Sequence, residues 1–187
     1  MITKQYLFAN WNYPTQVRFG VGRISEISSA CSDLNISRPL IVTDIGLVNS
    51  QVVLNVISSL KKTGLNISLF SEVQGNPVGK NIIDGAHVYR DGSHDGVIAV
   101  GGGSAMDAGK VIAMYQGQNN ELFDLHVKVD GDTRINPDKI APIIAVPTTA
   151  GTGSETGRAG LITEEEVNAK RIFAHPKMMP AIVISDP

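Results

Sequence analysis

Asp95-Gly96-Val97-Ile98-Ala99-Val100-Gly101-Gly102-Gly103-Ser104-Ala105-Met106-Asp107-Ala108-Gly109-Lys110 decides the fold. It opens as an apolar run, Val97 to Val100, with β-branched residues suited to a buried strand. Three glycines follow, and then a segment with helical spacing, in which Ala105, Ala108, Val111, Ile112 and Tyr115 form an inward stripe. The pattern is strand, tight turn, helix. Glycine lets the backbone pass close to a ligand with no Cβ in the way. The free N–H groups of the helix start, helped by the helix dipole, suit an anion such as a diphosphate. A plain Gly-rich βα turn with no ligand is the competing reading.

Working outward, strands and helices alternate. Before the central stretch come a short strand at Gln16 to Gly20 and a helix from Gly22 to Leu34 with Ile24, Ile27, Ala30 and Leu34 inward. Pro39 to Thr43 reads as a buried strand ending at Asp44. A helix from Asn49 to Thr63 turns Val52, Val53, Val56, Ile57 and Leu60 inward and stops at Gly64. Ile67 to Phe70 is a strand, Glu72 to Pro77 a loop, and Val78 to Arg90 a helix with Ile82, Ile83, Ala86 and Tyr89 inward. After the central stretch, Gln116 to Asp138 is a polar excursion anchored by Leu122, Phe123 and Leu125. Ile140 to Val146 is a buried strand, Pro147 to Gly153 a second Gly/Thr-rich loop, and residues 156–174 a β-hairpin with the acidic tip Glu164-Glu165-Glu166. Ala181 to Ile184 is a last strand, which leaves no following helix to cover it. The order predicts one α/β domain over residues 1–187, Rossmann-like and doubly wound. Its sheet is mainly parallel, and the hairpin is an insertion.

Composition excludes several classes. The 187 residues carry 16 basic and 18 acidic side chains, net −2, so no basic excess exists to neutralise a nucleic-acid backbone. No apolar run approaches the roughly 18–20 residues of a membrane helix. Met1 to Tyr6 lacks the basic start and apolar stretch of a signal peptide, and a cytoplasmic location is expected. Cys31 is the single cysteine; it falls on a helix pattern and reads as a packed small residue.

Four stretches carry chemistry, all at predicted strand carboxyl ends. The first is Gly101-Gly102-Gly103-Ser104 with Asp107, which is neither the usual dinucleotide fingerprint nor a P-loop, since Lys110 is followed by Val111. Asp44 is placed either to accept from both hydroxyls of a ribose and repel a 2′-phosphate, or to cap a turn. Thr148, Thr149 and Thr152 with two glycines can wrap a polar ligand, or form a polar turn. Asn76, before Pro77, is either a ribose or adenine contact or turn chemistry. A single nucleotide could touch all four.

Gly101 to Lys110 together with Pro147-Thr148-Thr149-Ala150-Gly151-Thr152-Gly153-Ser154-Glu155 resembles the iron-containing (group III) alcohol dehydrogenase family. Val42 to Gly46, Asn76-Pro77 and Asp186-Pro187 fit the same pattern, in order, over nearly the whole chain. The resemblance implies an NAD(P)-dependent oxidoreductase that interconverts an alcohol and an aldehyde or ketone, with an N-terminal nucleotide domain and a C-terminal all-helical domain. It implies that Gly101, Gly102, Gly103 and Ser104 hold the diphosphate and that Asp107 lies near the nicotinamide. It further implies that Thr148, Thr149 and Thr152 line the cofactor, that Lys170 reaches the ribose, and that Asp44 goes with NAD over NADP. The family's Fe2+ or other divalent metal is held by an aspartate and three histidines in the helical domain, beyond Pro187. The histidines here, His87, His94, His126 and His175, match none of that ligand pattern. No catalytic or metal-binding residue is therefore assigned. The expectation is a cofactor-binding half, cut before the helical domain, that binds NAD and turns over nothing alone. Partners would be the dinucleotide, a small alcohol or aldehyde in the parent enzyme, and a second copy of the chain paired near residues 6–20. Gly157-Arg158-Ala159-Gly160 departs from the family, which often has a polar residue near Ala159. The rivals are a glycerol-dehydrogenase-like or dehydroquinate-synthase-like relative and a non-catalytic nucleotide-binding module.

Overall fold

A computed structural model describes residues 14–187; the part of the aromatic-rich opening at Tyr6, Phe8, Trp11 and Tyr13 lies outside them. The described chain runs β1 (Gln16–Phe19), a 3-10 turn (Arg23–Glu26), α1 (Ile27–Asp33), β2 (Pro39–Asp44), α2 (Gln51–Lys62), β3 (Ser68–Val73), α3 (Gly79–Asp91), β4 (Gly96–Gly101) and α4 (Gly103–Tyr115). Four 3-10 turns cross the polar excursion. Then come β5 (Ile143–Pro147), another 3-10 turn (Ser154–Thr156), the hairpin β6 (Ala159–Glu164) and β7 (Ala169–Ala174), a last 3-10 turn (Pro176–Met178) and β8 (Ile182–Ser185).

Six strands form one parallel sheet in the order β1-β8-β5-β4-β2-β3, and β6 and β7 pair antiparallel outside it. Strand alternation divides the core into two layers. Leu40, Val42, Val97 and Ile143 face α3 and α4, while Ile41, Ile98, Val100, Ile144 and Val146 face α1 and α2. In the four inner strands, β2, β4, β5 and β8, almost every position is buried, as a sheet covered on both faces requires, whereas the outer strands β1 and β3 are largely exposed or half-buried. α4 sits tight on the sheet at Gly109, where a Cβ would come within 2.7 Å of Ala99 Cβ.

β8, the last strand, is an inner strand between β1 and β5, and β1 occupies the edge. Two sequence expectations need correction. Ile83 is 36% exposed instead of inward. The inner stripe of α3 is Ile82, Ala86 and Tyr89, and Ile83, about 100° further round the helix, lines a shallow surface hollow with Phe123 and the acidic hairpin tip. The third strand continues through Glu72 to Val73, residues the sequence pattern assigned to a loop.

Distant carboxylates brace the chain. Asp186, just past β8, accepts from the amides of Gly22 (2.9 Å) and Ile24 (2.8 Å), capping the 3-10 turn that leads into α1. Arg18 on β1, nearly buried, reaches Asp33 (2.5 Å) and Ser29 (3.0 Å) on α1. Asp95, one residue before β4, accepts from Ser37 N (2.9 Å), Ser37 Oγ (2.6 Å) and Arg38 N (2.7 Å), tying the entrances of β2 and β4 together. Cys31 is buried and its thiol is pushed up to about 12 by burial, with the charge of Asp95 adding to it.

Asp186→Ala removes the acceptor of two turn amides and is expected to cost about 1–2 kcal/mol in urea unfolding. For Asp95, partial burial works to raise the pKa, but the hydrogen bonds from Ser37 and Arg38 and the charge of Arg38 outweigh it and hold it below the usual value. A lowered carboxyl contributes stability that is complete above its unfolded value, about 3.9, and is lost as pH falls through the folded one. Asp95→Ala should therefore lose about 1–2 kcal/mol at pH 7 and progressively less below pH ~4, measured by unfolding across that range.

Candidate functional site

The winding of the sheet reverses between β2 and β4: from β2 the chain moves outward to β3, then returns to β4 on the other side and proceeds to β5. A crevice opens at the strand carboxyl ends at such a reversal. Here it is a cleft of about 530 Å³ lined by Asp44 to Leu47, Val73, Gly75, Gly102 to Ser104, Thr148 and Thr149.

Its floor is the start of α4. Gly101 has φ +147, and a Cβ there would lie 2.7 Å from Ala105 Cβ and 3.1 Å from Asp44 Oδ2. That turn aims the helix N-terminus at the cleft. Gly102 is the N-cap residue and no side chain caps the helix. The first-turn amides therefore have no intrahelical acceptor and face the cleft as an anion cradle. A Cβ on Gly102 would stand 3.2 Å from Thr149 Oγ1, so a side chain there would occupy the cradle.

Asp44 resolves its two sequence readings together: Oδ1 accepts from Gly46 N (3.1 Å) as turn chemistry, while the residue lines the cleft. Thr148 N bonds Gly101 O (3.0 Å), which fixes the start of the threonine loop beside the glycine turn. Asn76 takes the left-handed conformation, φ +56, and so does serve as a turn residue. Its amide donates to Ser104 Oγ (3.3 Å) and its side-chain oxygen accepts from Lys170 Nζ (2.8 Å). Asn76 and Lys170 thus meet each other, outside the cleft lining.

Asp107 and Thr152 belong to an adjoining cleft of about 280 Å³, which shares Gly103 with the first and is also lined by Lys110, Ser154, Arg158 and Leu161. Both Asp107 oxygens are engaged within the chain: Oδ1 by Ser154 Oγ (2.6 Å) and Lys110 Nζ (3.2 Å), Oδ2 by Leu161 N (3.0 Å). Sequence reading missed Lys110 and Ser154 as partners. The available signal was the i,i+3 spacing of Asp107 and Lys110 on a helix.

Among the described residues, no three His, Cys, Asp or Glu side chains come together as a metal cage. His87 is exposed on α3. His94 is buried with Nδ1 against Arg38 O (2.9 Å), and His126 and His175 each accept a local backbone amide at Nδ1 (3.1 Å). Burial first, with neighbouring cations, lowers the pKa of His126 and His175. Among the described residues the longest helices, α3 and α4, have 13 residues, and none is long and apolar enough to cross a membrane.

Fold and site define a doubly wound, Rossmann-like domain with an uncapped helix N-terminus at its switch point. The family described as iron-containing alcohol dehydrogenase matches residues 14–187, and the chain belongs to that family. It is 37% identical over 175 residues to a 4-hydroxybutyrate dehydrogenase of Cupriavidus necator, covering 94% of this chain and 45% of the relative. It is 34% identical over 180 residues to a choline dehydrogenase of Bacillus subtilis, covering 96% and 44%. The crystal structure of a sulfoacetaldehyde reductase from Bifidobacterium kashiwanohense, in complex with NAD+, superposes with a TM-score of 0.84 at 30% identity, over 97% of this chain and 46% of that one. The chain spans a little under half the length of these relatives.

The two turn glycines should respond differently to a methyl group. Gly101→Ala meets a positive φ and a 2.7 Å contact and should lose about 2–4 kcal/mol in urea unfolding. Gly103→Ala meets nothing closer than 3.6 Å and should change stability by less than about 1 kcal/mol.

Proposed function

We propose that this chain supplies the NAD(H)-binding part of an NAD-dependent alcohol dehydrogenase acting on a small alcohol–aldehyde or alcohol–ketone pair. The observation that carries the reading is the uncapped α4 N-terminus, facing a cleft with Asp44 at its rim, at the reversal point of the sheet. Membership of the iron-containing alcohol dehydrogenases and the NAD+ complex of one relative support it.

The residues fit a dinucleotide. The amides at Gly102, Gly103 and Ser104 would hold the diphosphate, because no side chain competes for them. Asp44 would accept from the ribose hydroxyls and repel a 2′-phosphate. Thr148 and Thr149 offer hydroxyls along one wall, and Thr152 and Asp107 bound the half beyond the diphosphate. Lys170, held by Asn76, is poised at the hairpin side, where the family resemblance assigns it a ribose contact. When bound, NAD is the hydride acceptor. The chain's own part is to bind and orient it. No step is assigned to a metal, because the described side chains form no metal cage. The family resemblance assigns metal ligation to a helical domain beyond Pro187, and on that reading the 187-residue chain alone is expected to show no steady alcohol-dependent NADH formation.

The described edge of β1 carries Phe19, 68% exposed, beside Val21, 85% exposed, and is the proposed contact for a second copy of the chain; sedimentation mass checks it.

Fluorescence titration with NADH and NADPH tests the central proposal. The native chain should saturate with NADH and prefer it. Asp44→Gly should reduce that preference about tenfold, the worth of one charge repulsion of ~1.4 kcal/mol. A folded, monodisperse chain that binds neither dinucleotide overturns the reading.

A further inference from the structure

Lys110 is the one lysine among the described residues that is fully buried, with 1% exposure. Its position on α4 faces inward, where an apolar side chain would pack at no electrostatic cost. Burying an ammonium costs several kcal/mol unless its donors are all used. Here they are. Nζ donates to Ser154 Oγ (2.7 Å), to Ser154 O (3.0 Å) and to the carbonyl of Ala159, and pairs with Asp107 Oδ1 (3.2 Å). Asp107 in turn accepts from Ser154 Oγ and from Leu161 N. Burial holds the Lys110 pKa below its ordinary value, against the opposing charge and hydrogen bond of Asp107 and the charge of Glu155.

The partners of this ion pair lie on the threonine-rich segment and the hairpin rather than on the six-stranded sheet. Ser154 belongs to the threonine loop; Ala159 and Leu161 open the hairpin strand β6. The loop's first residue has its own anchor, Thr148 N on Gly101 O. Beyond it, Thr152 is exposed; its Oγ1 accepts from Ser154 N (3.3 Å) and donates to Glu155 Oε2 (3.4 Å), so its place follows that of the Ser154 turn held by Lys110. Lys170 stands opposite Thr163 across the hairpin, so its reach to Asn76 depends on where β6 lies. On the other side of the cleft, Asp44, Thr148 and Thr149 make no hydrogen bond to Lys110, Asp107 or Ser154; the two sides meet at Gly103 and Ser104.

We propose that Lys110 is a positioning residue which, through Asp107, Ser154 and β6, fixes the half of the cleft beyond the diphosphate and leaves the nucleotide half untouched. This rests on the dinucleotide reading of the cleft. It follows that Lys110 governs how much a dinucleotide gains over the bare nucleoside diphosphate. A lysine that merely supported the domain would weaken both ligands alike.

The test compares ADP and NADH binding by calorimetry in the native chain, in Lys110→Met and in Ser154→Ala, each checked for native circular dichroism. Lys110→Met should lose tenfold or more in NADH affinity while ADP affinity stays within twofold. Ser154→Ala, which keeps the ammonium and removes one bridge, should show the same selectivity at about threefold, and carries the test if Lys110→Met does not fold. Equal losses for ADP and NADH, or no loss for either, overturn the proposal while leaving the dinucleotide reading intact. A native chain that binds ADP and NADH equally tightly also overturns it. A native chain that binds neither overturns both.

Discussion

The close seating of α4 on the sheet is the constraint on which the rest depends. A strand that ends at the core and a helix that must lie back across it leave a single residue, Gly102, between them. Gly101 provides the conformation, at φ +147, and Gly109 lets the helix axis approach Ala99 with no Cβ between them. Two consequences follow. The uncapped helix N-terminus arrives at the reversal point of the sheet, where Asp44 and the threonine loop also arrive. The helix body comes near enough to the sheet and hairpin that Lys110 cannot reach water, and its charge must be satisfied inside. The anion cradle and the buried ion pair are two ends of one packing decision.

Carboxylates do much of the long-range joining. Asp186 caps a turn 162 to 164 residues earlier in the chain, Asp95 ties two strand entrances, and Asp107 binds α4 to the hairpin. In each case a charged acceptor meets backbone amides that secondary structure leaves unpaired, which is where a charge-assisted bond contributes most. The same residue type thus braces the frame at Asp95 and Asp186 and lines the candidate site at Asp44 and Asp107. Composition alone does not separate these roles; position relative to the strand carboxyl ends does. Asp95 precedes its strand, while Asp44 ends one and Asp107 lies in the helix that follows one.

Membership in the iron-containing alcohol dehydrogenases supports the proposal that this crevice takes a cofactor. The described residues bring together glycines, hydroxyls, two carboxylates and amides at two adjoining clefts, a set suited to holding a diphosphate and a sugar. The histidines are spread over α3, the segment after it, the excursion and the end of the hairpin, each with local surroundings unrelated to the crevice.

The sequence by itself determined the element types, the layering and most of the crevice. Period-2 and period-3.6 apolar patterns are local and survive without knowledge of neighbours, so Pro39 to Asp44, Gly96 to Gly101 and the inner faces of α2 and α4 were legible. The glycine turn and the threonine loop were legible because backbone conformation and hydroxyl content are also local properties. Only the tertiary structure decided which strands are neighbours. Parallel strands joined by helices carry no turn that fixes their order, so β8 as an inner strand between β1 and β5 was not written in any short stretch. Tertiary contact likewise decided the partners of polar side chains. Asn76 meets Lys170 across 94 residues, and Lys110 meets Ser154 across 44. A hydrogen bond depends on two positions in space, and a sequence pattern gives the character of each residue without the distance between them.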